Sequence, residues 1–189
     1  MFLLSLVLLS VEFPICTAPG DQLCPDVCWD GQSFWVVWAE NQGDSGKIAA
    51  TKITEGGIVQ DPFFVCSPGK GVSDPSLACS PDTLLLTYTR QVPDSADEDY
   101  LCFTLLDPSG IPYYGSGGIV GIFAAGPIKP VRCNEHFALL YTYGYSAGFE
   151  YPTWGEVSLL DGNTPVEILD VPAPGGQFCS VGDGLWMGK

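Results

Sequence analysis

The segment Pro25-Asp-Val-Cys-Trp-Asp-Gly-Gln-Ser-Phe-Trp-Val-Val-Trp38 occurs three times in related form. It returns as Pro75-Ser-Leu-Ala-Cys-Ser-Pro-Asp-Thr-Leu-Leu-Leu-Thr-Tyr88 and as Pro130-Val-Arg-Cys-Asn-Glu-His-Phe-Ala-Leu-Leu-Tyr-Thr-Tyr143, at intervals of 50 and 55 residues. A repeat of this length constrains folding more than any other feature. Each unit is one supersecondary element that buries its faces only against its neighbours.

The remainder of each unit repeats as well. Ile48-Ala-Ala-Thr-Lys-Ile53, the turn Thr54-Glu-Gly-Gly57 and Ile58-Val are followed 53 residues on by Leu101-Cys-Phe-Thr-Leu-Leu106, Asp107-Pro-Ser-Gly110 and Ile111-Pro. Glu156-Val-Ser-Leu-Leu160, Asp161-Gly-Asn-Thr164 and Pro165-Val form the third copy. Each unit therefore reads as four short strands. In the first unit, strand A is Asp26 to Trp29, B is Phe34 to Trp38, C is Ile48 to Ile53 and D is Ile58 to Cys66. The second unit repeats them at 76–79, 84–88, 101–106 and 111–124. The Gly-containing turns between C and D are hairpin signals, since glycine supplies the positive φ of tight turns. No helical periodicity competes with this pattern.

Strand B distinguishes among all-β architectures. Phe34-Trp-Val-Val-Trp38, Leu84-Leu-Leu-Thr-Tyr88 and Leu139-Leu-Tyr-Thr-Tyr143 do not alternate apolar with polar. A strand wetted on one face alternates, whereas a near-continuous apolar run indicates burial on both. Trp35, Trp38, Tyr88, Tyr141 and Tyr143 are thus expected in the core, with Trp38, Tyr88 and Tyr143 at equivalent positions. About 50 residues per four-stranded unit suits a propeller blade lying between two others. The expected fold is all-β: a partial β-propeller of three four-stranded antiparallel blades plus incomplete terminal blades. The blades span 24–71, 72–127 and 128–175, with the start of another at 176–189.

Trp29-Asp-Gly-Gln-Ser-Phe-Trp-Val-Val-Trp38 resembles the repeats of bacterial secreted β-propeller proteins, of the form Asp-Gly-x-x-Tyr-Leu-Val-Val-Trp followed by a strand and a Gly-containing turn. The second and third copies carry Ser80-Pro-Asp and Asn134-Glu-His in place of Asp-Gly. The resemblance covers residues 24 to 170. It implies a propeller fold and export, and links the chain more distantly to sialidase-type propellers, without specifying an activity.

Two readings apply to residues 1–18. Phe2 to Val11 is an apolar run of signal-peptide length, too short for a membrane span, and Cys16-Thr-Ala18 offers small residues for cleavage. No Lys or Arg precedes the run, and Ile15 disfavours a lipoprotein site at Cys16. In the second reading, Phe13-Pro-Ile-Cys-Thr-Ala-Pro-Gly20 aligns with Phe63-Phe-Val-Cys-Ser-Pro-Gly69, so that this stretch is the outer strand of a preceding blade. At the other end, Gln177 to Met187 begins a fourth copy. Three and a fraction units do not close a ring of about four to eight blades, so the expectation is a fragment, or a ring closed with other chains.

A net charge of −15, from 22 acids against 7 bases, argues against nucleic acid or anionic lipid as a partner, because both need concentrated Lys and Arg. Protein or neutral carbohydrate ligands fit better, and membrane insertion is not expected. Eight cysteines favour an oxidising compartment, and hence a secreted or cell-surface protein. Zinc needs converging close pairs of ligands. Cys24 and Cys28 have no second such pair, and His136, the single histidine, is isolated in an expected turn. Cys28, Cys133 and Cys179 occupy equivalent strand A positions, with Cys79 displaced by one residue. Equivalent strands are stacked rather than paired, so these are expected to be small buried residues rather than disulfide partners.

The loops between B and C differ most between copies: Glu40 to Gly46, Arg90 to Asp99 and Gly144 to Trp154. In an antiparallel blade they share one end with the connections between blades, and variable loops on a rigid scaffold are common binding sites. Tyr145, Phe149, Tyr151 and Trp154 make the third loop aromatic, suited to stacking on a sugar ring or a partner protein; the plain alternative is a cluster folded over the blade edge. Asp94, Asp97, Glu98 and Asp99 form a carboxylate cluster that suits calcium, although the EF-hand order and its glycine are missing and a solvated acidic loop is the simpler assignment. No catalytic residue is assigned. No Gly-x-Ser-x-Gly or His-Glu-x-x-His is present, and Arg90 and Arg132 are too few for the arginine cluster of a sialidase. The expected function is a non-catalytic extracellular scaffold for protein or glycan binding. The alternatives are a fragment of a sialidase-like glycoside hydrolase propeller or a purely structural array.

Overall fold

The computed structural model describes residues 13–42, 45–66, 69–91, 99–113, 118–122, 129–133, 136–143, 154–161, 164–172, 177–181 and 184–188, the later segments mainly as backbone. The regular elements among the described residues are β-strands, with no helix. β1 (Asp21–Trp29), β2 (Ser33–Gln42), β3 (Ser45–Thr54) and β4 (Phe63–Phe64) form the first antiparallel sheet, in sequence order. β5 (Ser73–Cys79), β6 (Leu84–Gln91), β7 (Asp99–Leu106) and β8 (Gly118–Ile122) form the second. β9 (Lys129–Cys133), β10 (His136–Tyr143), β11 (Trp154–Asp161) and β12 (Thr164–Pro172) form the third, and β13 (Gln177–Val181) pairs with β14 (Gly184–Gly188).

The sheets stack, and the reason lies in side-chain alternation. Successive residues of a strand point to opposite faces. In the first sheet Trp35, Val37, Ala39, Ile48 and Ala50 face one way. They share a core with Leu77, Cys79, Leu84, Leu86 and Leu106 of the second. The other face of the second sheet carries Ala78, Leu85, Leu101, Phe103 and Leu105, which pack with Phe137 and Leu139 of β10. The second sheet is therefore covered on both sides. Leu84, Leu85 and Leu86 are at most 1% exposed, which is the burial expected of a strand without alternation. Each such leucine contributes about 2 kcal/mol relative to an exposed one. The first strands of successive units are neighbours: β1 lies against β5, β5 against β9 and β9 against β13. Asp26 fixes the first of these contacts, accepting bonds from Ser76 Oγ at 2.5 Å and Leu77 N at 2.9 Å.

Trp35 and Trp38 are buried as expected, and Tyr88 is half-buried. Tyr143 pairs with Trp154 in β11, while its side chain, like that of Tyr141, lies outside the described residues. Both hairpin turns between C and D form at the anticipated glycines. Gly57 and Gly110 have φ of 78° and 81°, and donate to Thr54 O and Asp107 O.

Four expectations need correction. Cys28 and Cys79 are joined by a disulfide between β1 and β5, with a Cα separation of 5.9 Å. Two cysteines at truly equivalent positions would point the same way. The one-residue displacement of Cys79 turns its side chain to the opposite face, so it meets Cys28 across the stacked sheets. In the first unit strand D is much shorter than 58–66; in the second, the regular strand among the described residues of 111–124 is Gly118–Ile122, and 114–117 and 123–124 lie outside the described residues. Before β4 and β8 the described chain makes only single bridges, Ile53 with Val59 and Leu106 with Pro112. Pro62 lacks the N–H that would continue the ladder beyond the bond from Gln60 N to Lys52 O. The stretch Glu40 to Gly46, read as a loop, is largely the paired ends of β2 and β3, with Glu40 opposite Lys47 and Gln42 opposite Ser45. An ion pair between Lys47 and Glu40 at 3.7 Å, with the same ammonium 3.7 Å from the Phe64 ring centroid, holds those ends together. His136 begins β10 opposite Cys133 rather than occupying a turn.

Candidate functional site

The variable end of the units is built on the first two sheets by the connection between them. Gly46 and Gly69 exchange backbone bonds of 2.8 and 2.9 Å, and Gln91 N donates to Lys70 O at 3.2 Å. The connection thus rests on the ends of β3 and β6, beside the loops between B and C. A Cβ at Gly69 would lie 2.9 Å from Arg90 Nε, so the exposed Arg90 side chain would have to shift to admit one. The Arg90 side chain lies across it.

Next to this connection is a polar cluster that the sequence did not announce. Cys24 and Asp74 both have φ near +50°, and each sits at an interruption of the ladder between strands A and B, immediately before Pro25 and Pro75. Left-handed backbone at a non-glycine residue is uncommon and costs about 1–2 kcal/mol. Asp74 accepts from Ser73 Oγ at 2.9 Å, from Thr89 Oγ1 at 3.4 Å and from Cys24 Sγ at 3.3 Å. Ser73 and Thr89 hydroxyls are 2.8 Å apart. These bonds tie β1, β5 and β6 together where both bulges fall. The Cys24 thiol is held above its ordinary range, chiefly by its hydrogen bond to Asp74 and then by desolvation. The matching residues before Pro25 and Pro75 were the available sequence signal.

Of the expected calcium ligands, Asp99 begins β7 opposite Gln91. Its carboxyl is raised by burial and secondarily by the charge of Asp74. Its described carboxylate neighbour is therefore Asp74. Asp94, Asp97 and Glu98 lie outside the described residues, and no group among the described residues combines three metal-ligating side chains. Of the aromatic residues, Tyr145, Phe149 and Tyr151 also lie outside them. Trp154 begins β11 between Tyr143 and Pro172, with only its backbone described.

The opposite end is structural. Asp30 accepts from Gln32 N and Ser33 N, both at 2.7 Å, and from Trp35 Nε1 at 2.8 Å, and Lys52 Nζ is 3.3 Å away. Burial pushes its carboxyl up, but these four partners together outweigh burial and hold it below the usual range. Such a carboxylate is a fastener, with its acceptor sites already used.

These features define an all-β protein of repeated four-stranded antiparallel sheets clamped by a disulfide. Compared with known proteins, the chain matches no family model and no curated protein. No helix among the described residues is long and apolar enough to cross a membrane.

Proposed function

We propose that the chain is part of a secreted or cell-surface β-propeller scaffold, of the bacterial repeat type it resembles, that binds a protein or glycan without turnover. The observation that carries the propeller reading is the succession of β1, β5, β9 and β13 as neighbours, each opening a new antiparallel unit. The stacking of the first three sheets face to face is the arrangement that blades around an axis require. Export is supported by the Cys28–Cys79 disulfide, since such bonds persist in oxidising compartments. The binding end is assigned to the loops between B and C. There the units differ, while the turns between C and D repeat with the same backbone bonds. The aromatic loop from Tyr145 to Trp154 is the principal contact, since rigid aromatic side chains offer apolar area at low entropic cost. Calcium at Asp94, Asp97, Glu98 and Asp99 would order the neighbouring loop.

A loop exchange tests this proposal. Replacing residues 144–153, which connect β10 to β11, by residues 43–44, which connect β2 to β3, should abolish binding in a glycan and surface-protein screen while leaving the melting temperature nearly unchanged. Binding that survives the exchange, or glycoside hydrolysis by the unaltered protein, contradicts it.

A further inference from the structure

We propose that Cys66 and Cys102 are a second cross-sheet thiol pair, which closes to a disulfide between the first and second sheets. Both thiols are free in this structure. Cys66 follows β4 and packs against the core shared by the two sheets, its sulfur accepting the N–H of Ile48 at 3.3 Å. Cys102 lies in β7 between Leu101 and Phe103, which both pack toward the third sheet. Strand alternation turns Cys102 the other way, into the seam that Cys66 occupies. Cys102 is also directly opposite Tyr88, whose ring packs against the same core as Cys66.

The electrostatics place these groups in one neighbourhood. Burial first, then the charges of Cys102 and Cys66, push the Tyr88 phenol up to about 12, with Arg90 opposing. Burial pushes the Cys102 thiol up to about 11, Arg90 opposes this, and Cys66 adds to it. Buried thiols of this kind stay protonated near neutral pH and react slowly, which suits a pair that closes during folding or under a sustained oxidant.

The repeat supplies an internal control. Cys16 stands 50 residues before Cys66 and packs on the outer face of the first sheet, against a core containing Trp38 and Ala49. There Ala49 is opposite Trp38, as Cys102 is opposite Tyr88. The outer face therefore holds a thiol without the counterpart that the inner seam has.

Closure removes two protons and two electrons from the two thiols and forms one S–S bond. A small-molecule disulfide such as glutathione disulfide accepts them. Its own S–S bond breaks through a mixed disulfide and leaves as two thiols.

The test uses the full chain incubated with glutathione disulfide at mildly alkaline pH, then blocked, digested and mapped by mass spectrometry. The expected product is a peptide pair joined through Cys66 and Cys102, with Cys16 free or carrying glutathione. Cys102→Ser should leave Cys66 open to alkylation, and Cys66→Ser should do the same for Cys102. Closure should raise the melting temperature by on the order of 5–10 °C. The proposal is overturned if Cys66 and Cys102 are both alkylated after oxidation, if each carries only glutathione, or if Cys66 is joined to Cys16 or Cys24.

Discussion

At the turn between their first two strands, the first sheet places Asp30 where the second places Ser80. Ser80 Oγ accepts from Thr83 N at 3.0 Å and lies 2.9 Å from Thr83 O, which closes the turn with a neutral group. Asp30 closes the same turn, and also binds the Trp35 indole and Lys52. Lys52 in turn lies 5.0 Å from the Trp35 ring and donates to Pro108 O of the second unit at 3.5 Å. The repeat thus preserves a geometric role, an acceptor facing the same backbone N–H, that of Ser33 in one turn and Thr83 in the other, rather than a residue type. Added polar bonds appear where a neighbouring Trp and Lys can reach the acceptor.

The largest expected difference between the two units lies at the end of strand B. Trp38 is 3% exposed, whereas its counterpart Tyr88 is half-buried. Trp38→Ala should cost about 3–5 kcal/mol in urea unfolding, as large core truncations do. Tyr88→Ala should cost clearly less. Equal penalties would break the contrast.

A smaller effect separates Asp30 from Ser80. Asp30→Asn should destabilise by about 1.5–3 kcal/mol, the range for hydrogen bonds to a charged group, and Ser80→Ala by about 1 kcal/mol. The two should also differ in pH dependence. The folded-state carboxyl of Asp30 is held low, so its contribution is complete above the unfolded value, near ~4. It is lost as pH falls through the lower folded value. The Asp30→Asn penalty should therefore shrink in acid, while that of Ser80→Ala stays flat. Unfolding curves across an acid series measure both, and parallel penalties would refute the assignment.

The smallest contrast concerns the turns between C and D. Both glycines have positive φ, so alanine at either should cost about 1 kcal/mol from backbone strain. A Cβ on Gly57 would meet nothing, whereas one on Gly110 would collide with the Phe63 ring and lie 3.2 Å from Trp35. Gly110→Ala should therefore cost about 2 kcal/mol, and thermal unfolding of the pair should rank them in that order.

Much of the fold was legible because its determinants are local and periodic. The apolar run at Leu84 to Leu86 announced burial on both faces, and Gly57 and Gly110 announced their turns. The disulfide was not, because the expectation weighed equivalence of position and passed over the parity of a one-residue shift at Cys79. The break in the fourth strand of the first unit was missed because the apolar Ile58 suggested continuity, while Pro62 interrupts the ladder; Ile58 is exposed. The cluster around Asp74 escaped because it depends on bulges that bring Ser73, Thr89 and Cys24 together across three strands. Trp154 and Asp99 fall at strand starts rather than within loops, since ladder pairing runs further toward the loop end than the apolar pattern does.

The central claim is that equivalent first strands stack face to face, so that β1 and β5 bring Cys28 to Cys79. Peptide mapping of the unreduced native protein tests it directly, with free thiols blocked before digestion. The account predicts one peptide pair joined through Cys28 and Cys79 within a single chain. Alkylation of both residues, or a bond from either to a different cysteine, would contradict it.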